Sequence, residues 1–364
     1  MPRPSRIDID LDALAHNARL AASLAGSAHI MAAVKADAYG HGMVECSRVL
    51  ETLVQGLAVA HVEEAVRLRD AGIEAPVLVL EGPFDGADVT EISHRQFSTV
   101  AHSEEQLALL TEHALSPACP VWLKVDTGMH RLGIPTPMVE SALHQLSAIG
   151  TTHIVLMSHL AHAEDPEAVL TRHQLSRWEQ VTGDRSLSTS LMNSAGLIGH
   201  LKGDSDWMRP GYMLYGGRPS NRFDSVPLAP VMHFRSALMA VREIAAGETV
   251  GYGGRWEAER TSRIATIPVG YGDGYPRTAD NGTPVWVDGV LCPLVGRVSM
   301  DMLTVDITDH PHLHVGAPVE LWGRNLSVDT VASHAHTIGY ELLTRMPART
   351  GRYWLTQPGT EVQE

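Results

Sequence analysis

Three cysteines in 364 residues (Cys46, Cys119 and Cys292) are too few, too widely spaced and odd in number for a disulfide scaffold or a zinc-ligand set. They point to free thiols in a reducing compartment, and a cytoplasmic protein is expected. Basic charge is scarce too: 28 Lys and Arg against 42 Asp and Glu give a formal net charge of −14. That acidic field repels phosphate backbones, and no basic run offsets it, so a nucleic-acid partner is not expected. No stretch approaches the roughly 18 uninterrupted apolar residues of a membrane span. The opening MPRPSRIDIDLD turns polar and acidic at once, without an apolar signal core or a small-residue cleavage site. No G-x-G-x-x-G follows an apolar run with a suitable acidic residue downstream, which argues against a nicotinamide enzyme. Repeats and low-complexity tracts are also missing.

What is present is alternation. Strand-like apolar runs recur at Ile30–Val34, Leu57–Val59, Val77–Leu80, Thr99–Ala101, Val121–Val125, Ile154–Met157, Leu187–Met192 and Tyr212–Leu214. Most intervals between them carry helical patterns. Glu63, Glu64, Arg67 and Arg69, for example, lie opposite Val62, Ala65, Val66 and Leu68, and Gly72 follows as a stop. Roughly eight β-then-α units imply an α/β fold with an N-terminal (β/α)8 TIM-like barrel over residues 1–232. An open doubly wound sheet is the structural rival. From residue 233 to 364 the pattern shortens into β-like stretches (Ser236–Val241, Arg263–Pro268, Thr283–Val287, Met302–Ile307), with a helical stretch at Ser327–His336. These read as a C-terminal β-rich domain.

Barrel enzymes build their sites from the loops that follow the strands. The first run ends in a lone lysine, Lys35, followed by Tyr39 and a glycine-rich turn. Desolvation there would lower the amine pKa and free it to form a Schiff base with an aldehyde. The competing reading is a lysine that snorkels to solvent. The fifth run leads to Asp126 and Arg131, the sixth to His159, the seventh to Asn193 and Ser194, and the eighth is flanked by Arg209, Gly211 and Tyr212. Ser194 at a helix start and the Gly211–Tyr212 turn would add free backbone N–H donors where barrels commonly bind phosphate. Singly, Asn193 is as well read as a plain N-cap and Gly211 as a turn glycine. Together with Lys35 they point to pyridoxal phosphate.

The segments AAVKADAYGHG, KVDTGMHRLG, MNSAG, MRPGYMLYG, VGYGG, IPVGYGDGYPR, GRVSMD and IGYE span nearly the whole chain in order. By them the chain closely resembles the alanine racemases, pyridoxal-phosphate enzymes built as a barrel plus a β-domain. The resemblance implies that Lys35 carries the cofactor and is one of two catalytic bases. Tyr252 of VGYGG would be the other, reaching the cofactor of a partner subunit, so a homodimer with shared active sites is expected. His159 resembles the residue that orients that tyrosine, and Arg209 the partner of the pyridine nitrogen. Arg131 resembles the cation near the cofactor's phenolic oxygen and the substrate carboxylate. Lys124 aligns with a lysine that is often carbamylated and then braces this arginine. Tyr39, Ser194, Gly211, Tyr212 and Tyr340 resemble the phosphate contacts, with Asn193 beside them. Met300 would offer a backbone N–H to the substrate carboxylate, and Tyr271 would shape the entrance. Ser299 stands where many members carry cysteine, which bears on substrate fit and thiol sensitivity. The activity implied is interconversion of L- and D-alanine, supplying D-alanine to peptidoglycan.

Other readings carry less. His159, His162 and Glu164 lack the one-face spacing of a helical zinc motif, and His310, His312 and His314 fit a solvated strand; no metal is expected. A serine racemase or an amino-acid decarboxylase shares the chemistry. A non-catalytic pyridoxal-phosphate carrier shares the barrel, but VGYGG and GRVSMD argue for the second domain that carriers lack.

Overall fold

The computed structural model describes residues 3–151, 153–183, 186–201, 203 and 205–356. Its first strand, β1 (Arg6–Asp10), buries its three central residues, Ile7, Asp8 and Ile9. Eight parallel strands then form a ring: β2 (His29–Ala33), β3 (Gly56–Val59), β4 (Val77–Val79), β5 (Ser98–Ala101), β6 (Val121–Asp126), β8 (Ile154–Met157), β9 (Ser188–Ser190) and β10 (Trp207–Met208). The short β7 (Ile134–Pro135) pairs off the ring against β6. Strand β10 pairs back onto β2 through Trp207↔His29 and Met208↔Ile30, so the order is that of the chain, which a doubly wound sheet would not give. Strands β3, β4 and β5 are buried at every position, as a parallel sheet covered by helices requires.

The barrel interior holds Met31, Ala58, Leu78, Val100, Trp122, Val155 and Met157 in one cluster, with Leu80 and Trp207 packed against it. Gly56 makes room for this layer: a Cβ there would lie 2.8 Å from Met31 Cε. Between the strands run helices such as Met43–Leu50, Val62–Asp70, Gly86–Arg95, Glu104–Glu112 and Val169–Thr182. Asp85 and Ser103 cap two of them by accepting from the Asp88 and Gln106 N–H groups.

The seam between β9 and β10 has no ladder. Asp206 closes it, accepting from the Thr189 N–H (2.7 Å) and the Thr189 hydroxyl (3.1 Å), while the Arg209 N–H reaches Met192 O at 2.8 Å. This seam explains the one misplaced barrel strand. The expected eighth strand, Tyr212–Leu214, is instead a buried 3-10 turn, Tyr212–Tyr215, and the true strand is Trp207–Met208. A two-residue strand has no period to read, and the apolar run after Pro210–Gly211 is buried as a turn.

The β-rich unit contains β11 (Met232–Ala237), β12 (Ala240–Ile244), β13 (Thr249–Val250), β14 (Trp256–Glu257), β15 (Ser262–Ile267), β16 (Pro284–Val287), β17 (Val290–Pro293), β18 (Leu303–Asp306), β19 (Pro318–Trp322) and β20 (Arg352–Leu355). Six strands form one sheet in the order β17-β16-β19-β11-β1-β20, and β12-β15-β18 form another. The expected run Ser236–Val241 spans the end of β11 and the start of β12, two strands separated at Leu238–Met239. The helical stretch forms at Val328–His334.

Contacts divide the chain into Leu14–Leu214 with Arg218–Leu228, and Met1–Ala13 with Tyr215–Gly217 and Ala229–Glu364. Residues 1–13 therefore group with the β-rich unit rather than with the barrel, as a division at 232/233 would have had them. The cause is pairing: β1 lies antiparallel to β11 (Ile7↔Phe234) and parallel to β20 (Ile7↔Arg352).

Candidate active site

Lys35 follows β2 after one residue, Val34, and begins an unusual segment. Ala36, Asp37, Ala38 and Tyr39 all take left-handed helical angles, with φ between 52° and 54°. Each such non-glycine residue costs roughly 1–2 kcal/mol relative to the right-handed form. Specific bonds hold the turn. The Ala36 N–H donates to Glu64 Oε1 (2.8 Å), the Ala38 N–H to Val34 O (2.8 Å) and the Met43 N–H to Asp37 Oδ1 (3.0 Å). The amine of Lys35 titrates below its ordinary 10.5, through burial first and Arg131 second; Glu81 and Glu64 pull it the other way.

Cationic groups converge on this rim although the chain is acidic. Lys124 on β6 is 8 % exposed, and burial, then Arg209, Arg131 and Lys35, lower its pKa to about 8. Arg209, 7 % exposed, is brought by burial to about 10. Its guanidinium donates to Ser190 Oγ, to Ser158 O (2.5 Å) and to His159 Nδ1 (3.5 Å). An arginine can only donate, so Nδ1 accepts and the ring is neutral. Burial, followed by Arg209 and Lys124, holds His159 well below 6.5. Lys124, Asp126, Arg131, Ser158 and His159 line one cleft. Asp126 is a loop brace, accepting from the Gly128 (2.9 Å) and His130 (3.1 Å) N–H groups and pairing with His130 Nδ1 (2.8 Å), which shapes the turn that presents Arg131.

The phosphate-type residues also gather. Asn193 Oδ1 accepts from the Gly196 N–H (3.0 Å) and so caps helix Ser194–Ile198. Ser194 Oγ accepts from the Gly211 N–H (3.0 Å) and the Met213 N–H (3.3 Å). The Gly211 N–H is thus not a free donor, contrary to expectation, because the Ser194 hydroxyl caps the 3-10 turn that starts at Tyr212. Gly211 also lets Tyr39 approach: a Cβ there would meet Tyr39 Oη at 2.4 Å. The Tyr39 phenol is raised to about 12 by burial, so it stays a hydroxyl donor. Hydroxyls of Tyr39 and Ser194 at one end and a desolvated amine at the other fit a phosphate-bearing aldehyde.

Tyr252, Tyr271, Met300 and Tyr340 belong to the β-rich unit. Tyr252 is 72 % exposed and lines an open groove of about 500 Å³ with Arg297, Ser299 and Met302. Met300 is 53 % exposed. The Tyr271 and Gly272 N–H groups donate to Ser299 O (3.0 Å) and Met300 O (2.9 Å), tying the two segments together. Gly270 makes that approach possible, since a Cβ would meet Ser299 O at 2.2 Å. The Ser299 hydroxyl closes its own turn onto Met302 O (2.7 Å). Tyr340 sits in the first turn of helix Gly339–Thr344.

Sequence reasoning missed Glu64, Ser158, Ser190 and Asp206. Only Glu64 left a signal, an acidic residue in the first turn of its helix that can reach back to preceding N–H groups. Among the described residues no group of three His, Cys, Asp or Glu side chains could hold a metal ion. His162 and Glu164 form only a 3.7 Å ion pair.

Residues 9–219 match the family model described as "Alanine racemase, N-terminal domain", and residues 231–354 the one described as "Alanine racemase, C-terminal domain". A protein of Xanthomonas axonopodis pv. citri named "Alanine racemase" is 47% identical over 344 residues, 94% of each chain. The crystal structure of a biosynthetic alanine racemase from Pseudomonas aeruginosa superposes with a TM-score of 0.94 at 41% identity, covering 97% of this chain and all of that one. One from Acinetobacter baumannii gives 0.92 at 36%, with the same coverage.

Proposed function

The chain belongs to the alanine racemase family, and from that premise we propose that it interconverts L- and D-alanine with pyridoxal phosphate, using Lys35 and Tyr252 as opposed bases. The observation that carries this reading is the Lys35 amine, held below its ordinary pKa by burial and by Arg131. Bound pyridoxal phosphate would supply an aldehyde that condenses with amines and a conjugated ring that delocalises the electron pair left when an α-proton departs.

The protein's own groups do the rest. Tyr39, Ser194, Tyr212 and Tyr340 would hold the phosphate, with Asn193 capping the adjoining helix and Gly211 letting Tyr39 approach. Lys35 anchors the aldehyde carbon and moves the α-proton on one face; Tyr252 of the second subunit moves it on the other, oriented by His159. Arg209, always a donor, would hold the ring nitrogen unprotonated, which would weaken the electron sink and disfavour transamination. Arg131 and the Met300 N–H receive the substrate carboxylate, and Tyr271 narrows the entrance. Lys124, with a pKa of about 8, has enough neutral amine near neutral pH to add to carbon dioxide with loss of one proton. The resulting carbamate would brace Arg131 with an opposite charge.

Exposed Tyr252, Met300 and Met302 on the β-rich unit support assembly as a homodimer. Three free cysteines fit a reducing cytoplasm, where D-alanine would feed peptidoglycan.

The test is to incubate the purified protein with pyridoxal phosphate and L-alanine, L-serine or L-lysine in parallel, and to resolve products by chiral chromatography. D-alanine should accumulate fastest. Borohydride reduction and peptide mapping should label Lys35, and label on another side chain would reject the reading.

A further inference from the structure

The left-handed turn after Lys35 is fastened from outside by the helix Val62–Asp70. Glu64, in its first turn, uses both carboxylate oxygens: Oε1 accepts the Ala36 N–H at 2.8 Å and Oε2 accepts the Ala60 N–H at 2.8 Å. Arg67, one turn further, lies 3.8 Å from Asp37 Oδ1. The carboxylate thus ties the backbone that follows β2 to the backbone that follows β3. We propose that Glu64 is a positioning residue whose carboxylate locks the left-handed turn and thereby fixes the spacing between the Lys35 amine and the Tyr39 hydroxyl.

The physical reason is that the intrinsic preferences of these residues do not account for the turn, and its local bonds, such as Ala38 N–H to Val34 O and Met43 N–H to Asp37 Oδ1, leave the Ala36 N–H to be met from outside. Of the four residues only Asp37 gains from left-handed angles, through its bond to the Met43 N–H; the two alanines and the tyrosine tolerate them only where the surroundings over-determine them. The Ala36 N–H is the first donor inside the turn, and only Glu64 accepts from it. The two ends of the turn are the two chemical groups: Lys35 before it, and Tyr39, whose phenol packs against Gly211, at its close. A turn that relaxed toward right-handed angles would swing one of them away from the other. Glutamate is needed rather than glutamine because both partners are donors. An amide presents one oxygen and one NH2, so it can satisfy only one of them.

This proposal rests on the reading of Lys35 as the cofactor lysine, but its first readout does not. Hydrogen exchange of the peptide covering residues 35–43 is measured on full-length wild type, Glu64→Ala, Glu64→Gln and, as a control, Glu63→Ala, with and without added pyridoxal phosphate. Loss of both charge-assisted bonds should speed exchange there about tenfold or more in Glu64→Ala, less in Glu64→Gln and not at all in Glu63→Ala. The Kd for pyridoxal phosphate, followed by its visible absorption, should rise about tenfold in Glu64→Ala and by a smaller factor in Glu64→Gln. Unchanged exchange in both Glu64 variants overturns the brace, whatever the cofactor does. Faster exchange with unchanged Kd overturns the positioning role. Should Glu64→Ala not fold, Glu64→Gln decides alone, by the same two measurements. Wild type that never binds the cofactor would instead defeat the functional reading and leave the exchange result to judge the brace.

Discussion

Lys35 and Tyr252 sit in opposite surroundings. The lysine lies on a crowded barrel rim, its amine depressed by burial and by Arg131, close enough to Lys124 and Arg209 for their charges to interact and to help keep His159 neutral. The tyrosine stands 72 % exposed along an open groove of the other unit. The barrel unit has already met the electrostatic cost of its site, whereas the β-rich unit presents a group that still awaits a dry environment. The proposed reaction needs both, because its two bases would have to face one carbon from opposite sides. On the proposed reading, the contrast teaches that the barrel unit supplies most of the cofactor's contacts, with Tyr340 added from the β-rich unit, while proton transfer on the second face depends on Tyr252.

The sharpest way to break the comparison is to remove each base in turn. Lys35→Ala should abolish cofactor labelling by borohydride and lower racemisation by on the order of 10⁴-fold or more, since anchor and base are lost together. Tyr252→Phe should leave labelling of Lys35 intact and lower kcat/KM by about 10²–10⁴-fold. The loss must be equal in both directions, because the two enantiomers have the same free energy. Exchange of the α-hydrogen with solvent deuterium, read by mass spectrometry, should persist for only the enantiomer that Lys35 deprotonates. Exchange retained equally by both would mean that the two environments do not correspond to two separate bases.

A third change tests the barrel side alone. Lys124 has a folded pKa of about 8 against 10.5 for the ordinary amine. Below pH 8 both folded and unfolded chains hold the proton, and the folded state carries the whole penalty of a buried charge. Between about 8 and 10.5 the unfolded chain binds more protons, so wild-type stability rises with pH; above 10.5 the penalty is gone. Lys124→Met should therefore be more stable than wild type at pH 7 by up to about 3 kcal/mol in CO2-free buffer. Denaturant melts at several pH values should show the gain shrinking across that window. An equal gain at every pH would mean that packing, not charge, causes it.

The sequence announced the barrel because seven of its eight strands coincide with the strand-like runs between helical patterns, and the residues after them carry most of the chemistry. It misplaced the eighth because Trp207–Met208 is too short for periodicity, and because the louder apolar run YMLY is buried as a turn. It assigned β1 to the wrong unit because a strand's partners, β11 and β20, lie more than two hundred residues away. Lys35, Arg209 and Ser194 stood out by position and by family resemblance. Glu64 did not, since on a helical wheel it joins a solvated polar face, and only the fold shows both of its oxygens engaged. That the Ser194 hydroxyl consumes the Gly211 N–H was equally invisible, because a free donor and a capped one have the same sequence.

The smallest effect concerns how each unit closes its sheets. In the β-rich unit strands meet through backbone ladders, such as the five-residue register of β12 on β15. At the β9–β10 seam of the barrel a side chain replaces the ladder. The Asp206 carboxylate receives both the N–H and the hydroxyl of buried Thr189, and its own carbonyl accepts from the His29 N–H at 2.8 Å. Asp206→Ala would leave the Thr189 N–H without its partner, at a cost of about 1–3 kcal/mol. Arg242→Ala on β12 removes no ladder bond and should shift stability by less than about 0.5 kcal/mol. Urea melts of both variants compare the two kinds of seam directly. Because the seam lies just before Arg209, Asp206→Ala should also lower the affinity for pyridoxal phosphate, and Arg242→Ala should not. Equal stability losses in the two variants would mean that the barrel is closed by its interior packing around Trp122 and Trp207, whose rings lie 5.5 Å apart, rather than by the aspartate.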